Sequence, residues 1–249
     1  MNLKSIQAET GTAPDGIFGP ATAAALAAAR YDVVLDAGHT ADHAREHPAA
    51  WPAGTWDSPW GRPIAAALGI TPATADSLEH RLNLAISTAC AAALRQMGHR
   101  VLLYDDPTLP NTAEYRLAAR IANAARPRAF VSVHANASRG IATTAQNTAC
   151  GTITYHRPDH TPSRTLALLA TGSLLALRAE HAAPHNRADK ALPGPAYHVL
   201  TATPAAGASI LIETGFYDHA ADLTFLATCA PSIGQALAAA IHAHLTANA

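Results

Sequence analysis

Apolar residues recur along this chain in two periods, and the two alternate. Short runs of branched and aromatic residues at 33–35, 100–104, 129–133, 151–155, 198–200 and 208–212 have the length and composition of strands. Between them lie stretches with helical spacing. Leu78, Leu82, Ala85, Ile86, Ala89, Ala93 and Met97 mark one helix, opened by Asp76 or Ser77 and stopped by Gly98. Asn111-Thr112-Ala113-Glu114 has the form of a capping box and opens a second helix to Ala125, which explains Glu114 as a cap. Thr161-Pro162 opens a third, to about His181, and residues 183–197 read as a polar loop. Asp218 caps a short helix to Cys229, and Pro231 opens a last, alanine-rich one. The alternation predicts an α/β protein, a three-layer sandwich with a mostly parallel sheet of about six strands.

Two stretches stand outside that alternation. Residues 1–30 read as a short helical hairpin preceding a domain of residues 31–249: Leu3, Ile6 and Gln7 start one helix, Pro14-Asp15-Gly16 turns the chain, and Gly19-Pro20 opens another. Residues 40–75 form a connection too long for an ordinary loop, and it carries all three tryptophans, Trp51, Trp56 and Trp60. Indoles near a crevice either stack on sugar rings or form a local apolar cap.

Composition narrows the class. With 249 residues the chain can bury roughly three quarters of its extended surface. A formal charge of -1 with 14% charged and 49% hydrophobic residues offers no electrostatic footprint for nucleic acid. Cys90, Cys150 and Cys229 have no metal-type spacing and are expected as small core residues. The start of the chain lacks the apolar stretch of a secretory signal, and the alanine-rich runs are broken by polar residues, so we expect a soluble monomer made in the cytoplasm.

The candidate chemistry sits where strands end. The 33–35, 129–133 and 208–212 runs lead to His39, His134 and Glu213. In an open α/β sheet the carboxyl ends of strands face the ligand crevice, so parallel neighbours would bring these three side chains together. Glu79, in the first turn of a helix that starts over the same edge, approaches them, although an acid there also simply suits the helix dipole. Two imidazoles and one carboxylate are the three protein ligands of a catalytic zinc. A second carboxylate close to the metal could carry the proton of an activated water. His80 must point away from Glu79. His242 and His244, two apart on a helix, diverge, and no H-E-x-x-H string occurs.

The strings Val34-Leu35-Asp36-Ala37-Gly38-His39, Glu79 with Asn83-Leu84-Ala85-Ile86, Ser132-Val133-His134-Ala135-Asn136, and Leu211-Ile212-Glu213-Thr214-Gly215-Phe216 follow one another in this order. Together they resemble the zinc-dependent N-acetylmuramoyl-L-alanine amidases of the amidase-3 type. The resemblance implies Zn2+ held by His39, Glu79 and His134, with Glu213 as the catalytic glutamate. It implies peptidoglycan as substrate and cleavage between the lactyl group of N-acetylmuramic acid and L-alanine. Asn136, Trp56, Arg187 after Asn186, and Lys190 become candidate substrate contacts. The string Asp15-Gly16-Ile17-Phe18-Gly19-Pro20-Ala21-Thr22 is similar to the signature of small helical peptidoglycan-binding domains, one helix short of their usual three.

Two settings follow for such an enzyme. A phage-type endolysin, held in the cytoplasm until the membrane is opened, fits a chain without an export signal; a bacterial wall-remodelling or recycling amidase is the alternative. A non-catalytic wall-binding scaffold would have no need to retain all four site residues.

Overall fold

A computed structural model describes residues 1–40, 78–137, 149–184, 190–217 and 219–247. The elements in chain order are α1 (Leu3–Glu9), α2 (Pro20–Ala29), β1 (Val33–Ala37), α3 (Leu78–Gln96), β2 (Val101–Tyr104), α4 (Asn111–Ala125), β3 (Ala129–Asn136), β4 (Ile153–His156), α5 (Thr161–Glu180), β5 (Lys190–Pro193), α6 (His198–Thr201), β6 (Ser209–Phe216) and α7 (Ala220–Ala247). Six strands form one sheet in the order β2-β1-β3-β6-β4-β5, and every neighbouring pair is parallel except β4 with β6. The expected α/β class and strand number therefore hold.

Side-chain alternation sorts the sheet into two cores. Val33, Leu35, Val131, Val133, Ile210 and Ile212 face the side covered by α3, α5 and α7, where Ile86, Leu94, Leu174, Ile233 and Leu237 complete a buried cluster. Val34, Phe130 and Leu211 face the other side, packed with Leu102, Ile121, Val199, Ile6 and Leu26. On that second face the run turns polar towards the carboxyl edge: Asp36, Ser132, His134 and Glu213 continue the same alternation. All three cysteines are free and buried.

The N-terminal hairpin is built into this second core through Ile6 and Leu26. Its turn is organised around Gln7, a buried side chain whose amide donates to Asp15 Oδ1 (2.7 Å), Ile17 O (3.0 Å) and Thr22 Oγ1 (3.1 Å) and accepts from Gly16 N (2.8 Å). Arg120 of α4 stacks over the Phe18 ring at 4.5 Å and donates to Phe18 O at 2.8 Å. The Asp15–Thr22 string thus serves the geometry of its own turn and the attachment of the hairpin to α4.

Three expectations need correction. The fifth strand is Lys190–Pro193, inside the segment read as a polar loop, whereas His198–Thr201 is a helical turn. Val199 and Leu200 are buried in either form, so their apolarity does not report which form they take. Pro193 suits an edge strand, where its missing N–H costs no ladder bond. Second, Pro231 does not divide two helices: α7 runs unbroken from Ala220 to Ala247. Leu226, Cys229, Ala230, Ile233, Gly234 and Leu237 bury a continuous stripe, and that burial outweighs the roughly 3 kcal/mol a helix-interior proline costs. Third, α7 does reach membrane-spanning length and apolarity, yet 56% of its most apolar window is buried inside the fold against α3 and α5. The caps expected at Asp76, Ser77 and Asp218 lie outside the described residues.

A fully buried ion pair ties the far ends of these elements together. Arg178 Nη1 meets Asp222 Oδ1 at 2.6 Å, and its other donors reach Thr214 O, Thr152 Oγ1 and Pro184 O. Asp222 Oδ2 accepts from the backbone N–H of Gly151 and of Phe216. Breaking such a pair strands a desolvated guanidinium. Asp222→Ala is expected to destabilise the protein by about 3–5 kcal/mol, read as a lower urea midpoint at unchanged slope; a loss below about 1 kcal/mol, the worth of an exposed pair, would show that the pair is not structurally buried in solution.

Candidate active site

The site begins with an unusual backbone. β1 ends at Ala37, and after Gly38 comes His39 in the left-handed region at φ 66°, a conformation that non-glycine residues hold only when the surroundings enforce it. Gly38 is enforced from two sides: its N–H donates to Val133 O at 3.0 Å, and buried Asn83 Nδ2 donates to its carbonyl at 2.8 Å. A Cβ on Gly38 would lie 2.2 Å from His134 Nε2. The glycine is what lets the imidazole of β3 lie against the end of β1.

Three elements then converge. His39 Nε2 and His134 Nδ1 each stand 3.4 Å from Glu79 Oε1, with the two rings perpendicular and their centroids 4.7 Å apart. Among the described residues these three form a group whose donor atoms all lie within 4.8 Å of one another. Donors bound to one tetrahedral ion at about 2.0–2.2 Å stand about 3.3–3.6 Å apart, so the separations from Glu79 match a shared divalent cation. Proton placement agrees with this. The amide oxygen Asn111 Oδ1 lies 2.9 Å from His39 Nδ1 and can only accept, so that nitrogen carries the proton and Nε2 is left with a lone pair. Ser132 Oγ donates to Asp36 Oδ2 at 2.7 Å and lies 3.0 Å from His134 Nε2, so Nε2 is the protonated nitrogen and Nδ1 faces inward. Burial holds the His134 imidazole neutral, with its pKa lowered to about 4. Burial raises the Glu79 carboxyl above the usual carboxylate range.

Glu213 stands opposite His134 in the β3–β6 register, on the same face. Burial pushes its carboxyl well above the usual range, and the Glu79 charge adds to that. Its Oε2 has no hydrogen-bond partner among the described residues. A carboxyl with a raised pKa beside a donor cluster can take and return a proton near neutral pH. His39, His134 and Glu213 open onto one cavity of about 360 Å³, lined with Asp36 on the sheet side and with Asn111, Glu114 and Tyr115 of α4, Tyr197, and His198 and Val199 of α6.

The residues read as ligands and base therefore meet. The other assignments fare differently. Asn136, after an irregularity in the β3–β6 pairing, is half-buried, and its carbonyl accepts from Tyr217 N. Lys190 is exposed at the start of β5, in the row that runs His134, Glu213, Ile153, Lys190 across four strands. Trp51, Trp56, Trp60, Asn186 and Arg187 lie outside the described residues. His80 does turn away, to Asp105 Oδ1 at 2.7 Å. The capping box does not form: the N-cap is Pro110, without a side-chain cap bond, because Asn111 is engaged by His39 and Glu114 is buried facing Asp36. Asp36, Ser132, Asn111 and Glu114 were not singled out from the sequence as site residues. For Asp36 and Ser132 the signal was there, since strand periodicity puts Ser132 on the face of His134 and Asp36 beside it.

A two-sided α/β sheet that gathers two imidazoles, a buried carboxylate and a second acid at its carboxyl edge belongs to the class of hydrolases with a candidate metal centre. The chain belongs to the N-acetylmuramoyl-L-alanine amidase family, whose model matches residues 33–243, and it is an enzyme of that peptidoglycan-directed activity. Among solved structures, AmiC2 amidase of Nostoc punctiforme is 23% identical with a TM-score of 0.57, over 86% of this chain and 96% of that one. The catalytic domain of the CD27L endolysin, which targets Clostridium difficile, is 16% identical with a TM-score of 0.52, over 66% and 83%. Cwp6 from Clostridium difficile is 18% identical with a TM-score of 0.53; the match covers 67% of this chain but only 25% of Cwp6. At such identities the structures establish a shared fold. A search of curated proteins finds no match.

Gly38→Ala tests the geometry. The added methyl must displace the His134 ring, so metal affinity is expected to fall at least about tenfold in a chelator competition, with a stability loss of about 1–3 kcal/mol. Unchanged affinity would mean that His134 does not need this position to bind.

Proposed function

We propose that the protein is a zinc-dependent amidase that cleaves the bond between the lactyl carbonyl of N-acetylmuramic acid and the amino group of L-alanine. The observation that carries the reading is the pair of inward-facing imidazole nitrogens, each 3.4 Å from Glu79 Oε1, with Glu213 in register beside one of them. Two neutral imidazoles and a carboxylate are a donor set suited to zinc. Zinc held by His39, Glu79 and His134 would supply Lewis acidity to the substrate carbonyl and to a water molecule. Glu213 takes a proton from the attacking water as the C–O bond forms, then returns it to the leaving nitrogen as the C–N bond breaks. The cavity walls of α4 and α6 exclude bulk water and orient the substrate. Lys190, Asn136, Trp56 and Arg187 are proposed as substrate contacts.

Digestion of purified peptidoglycan should release stem peptides with a new N-terminal alanine, detected by mass spectrometry. Cleaved glycan strands, or intact stems, would overturn the assignment. Glu213→Gln should retain zinc at the wild-type stoichiometry while turnover falls by at least about 100-fold, the range expected for losing a general acid–base group. His134→Ala should lose both zinc and turnover, and equal metal content in the two proteins would remove His134 from the ligand set.

For the setting we propose a phage-type endolysin, synthesised in the cytoplasm and acting on the wall after the membrane is opened. The fold shared with an endolysin catalytic domain supports this reading. Cytoplasmic expression should be harmless until a membrane permeabiliser is added and then cause rapid lysis. Absence of lysis in a strain whose isolated wall the protein digests would refute the setting and leave the reaction intact.

A further inference from the structure

Beneath the donor cluster lies a buried acid pair that the reaction does not use. Asp36 and Glu114 are each about 1% exposed. Asp36 Oδ1 and Glu114 Oε1 are both buried without a hydrogen-bond partner among the described residues, the two side chains line the same cavity, and each carboxyl acts on the protonation of the other. Two ionised carboxylates cannot hydrogen-bond to one another, and leaving both oxygens bare in an interior costs several kcal/mol. A single proton between them satisfies both.

The remaining bonds decide which acid carries it. Asp36 already accepts from Ser132 Oγ at 2.7 Å, as a carboxylate does, whereas Glu114 Oε1 has no such donor among the described residues. The charged groups that act on Glu114 most strongly are acids, Asp36, Asp105 and Asp106, and Glu114 in turn acts on the Tyr104 phenol; His39, His134, His198 and Glu213 line the same cavity. Burial first, and then the Asp36 charge, drive its carboxyl well above the ordinary range.

We infer that Glu114 is a positioning residue: a neutral carboxylic acid that donates to Asp36, which through Ser132 holds the Nε2–H tautomer of His134 and presents Nδ1 to the metal. The chain runs Glu114 to Asp36 to Ser132 to His134, all on the α4 side of the sheet. Each group keeps the next in one protonation and one rotamer. No free-energy cost of rearrangement then falls on metal binding, in the way that partners behind a ligand ordinarily tune it. The inference rests on His134 being a metal ligand.

The test compares zinc affinity by chelator competition with the tautomer of His134 read by ¹⁵N NMR on the metal-free protein. Wild type should show His134 protonated at Nε2. Ser132→Ala should lose that bias and bind zinc about 10–100-fold more weakly, and Ser132→Thr, which keeps the hydroxyl, should recover most of it. Glu114→Gln should bind zinc within about threefold of wild type, because an amide N–H donates to Asp36 as a carboxylic acid does. Glu114→Leu, which offers no donor, should weaken zinc by about tenfold or more. An infrared difference between wild type and Glu114→Gln should carry the C=O stretch of a protonated carboxyl. If Glu114→Gln is as damaging as Glu114→Leu, or that band is missing, Glu114 is an anion and the inference fails. If His134→Ala keeps full zinc affinity, the ligand assignment fails instead.

Discussion

The contact on which the site depends is the one between a glycine and an imidazole. Gly38 leaves room for the His134 ring at a distance no side chain could share. The same sharp exit from β1 forces His39 into the left-handed region, which swings its Nε2 back towards β3. Asn83, fully buried on α3, holds the Gly38 carbonyl and sits one helical turn after Glu79. One hydrogen bond thus fixes both the strand end and the helix that delivers the carboxylate. The strain at His39 is stored because three packed elements determine it together.

Desolvation is the second theme. The fold buries Asp36, Glu79, Glu114 and Asp222, and it treats them differently. Asp222 receives a guanidinium and two backbone N–H groups, and so becomes a fixed structural anion joining β6, α5 and α7. Glu79 faces two imidazole nitrogens and a backbone N–H, an arrangement that a divalent cation completes. Asp36 and Glu114 face each other, where only a proton can reconcile them. Burial costs for charge are large, so each arrangement shows in its partners what the buried group is for.

Much of the architecture was legible in the chain itself. Short, continuous apolar runs leading to His39, His134 and Glu213, separated by helices, sufficed to predict parallel strands with these residues on a common edge, because strand ends and helix starts are local properties of the sequence. The four ordered strings likewise marked His39, Glu79, His134 and Glu213, the residues that the fold brings together there. Local signals misled where two readings bury the same atoms. Val199-Leu200 fills the second core as a helical turn, Lys190–Pro193 supplies the edge strand, and Pro231 is carried through α7 by packing on both sides.

The layer behind the ligands was beyond the sequence for a related reason. Asn111 and Glu114 have the spacing of a capping box, and the local rule assigns them to their own helix. Only the packing of α4 across the sheet places Asn111 against His39 and Glu114 against Asp36, 72 and 78 residues away along the chain. By itself the chain determined which elements form and which residues sit at their ends, since those follow from neighbours within one or two turns. Tertiary structure alone decided which polar groups are buried together, and therefore which nitrogen holds a proton and which is left open to a metal, because desolvation acts between groups that no local pattern brings into contact.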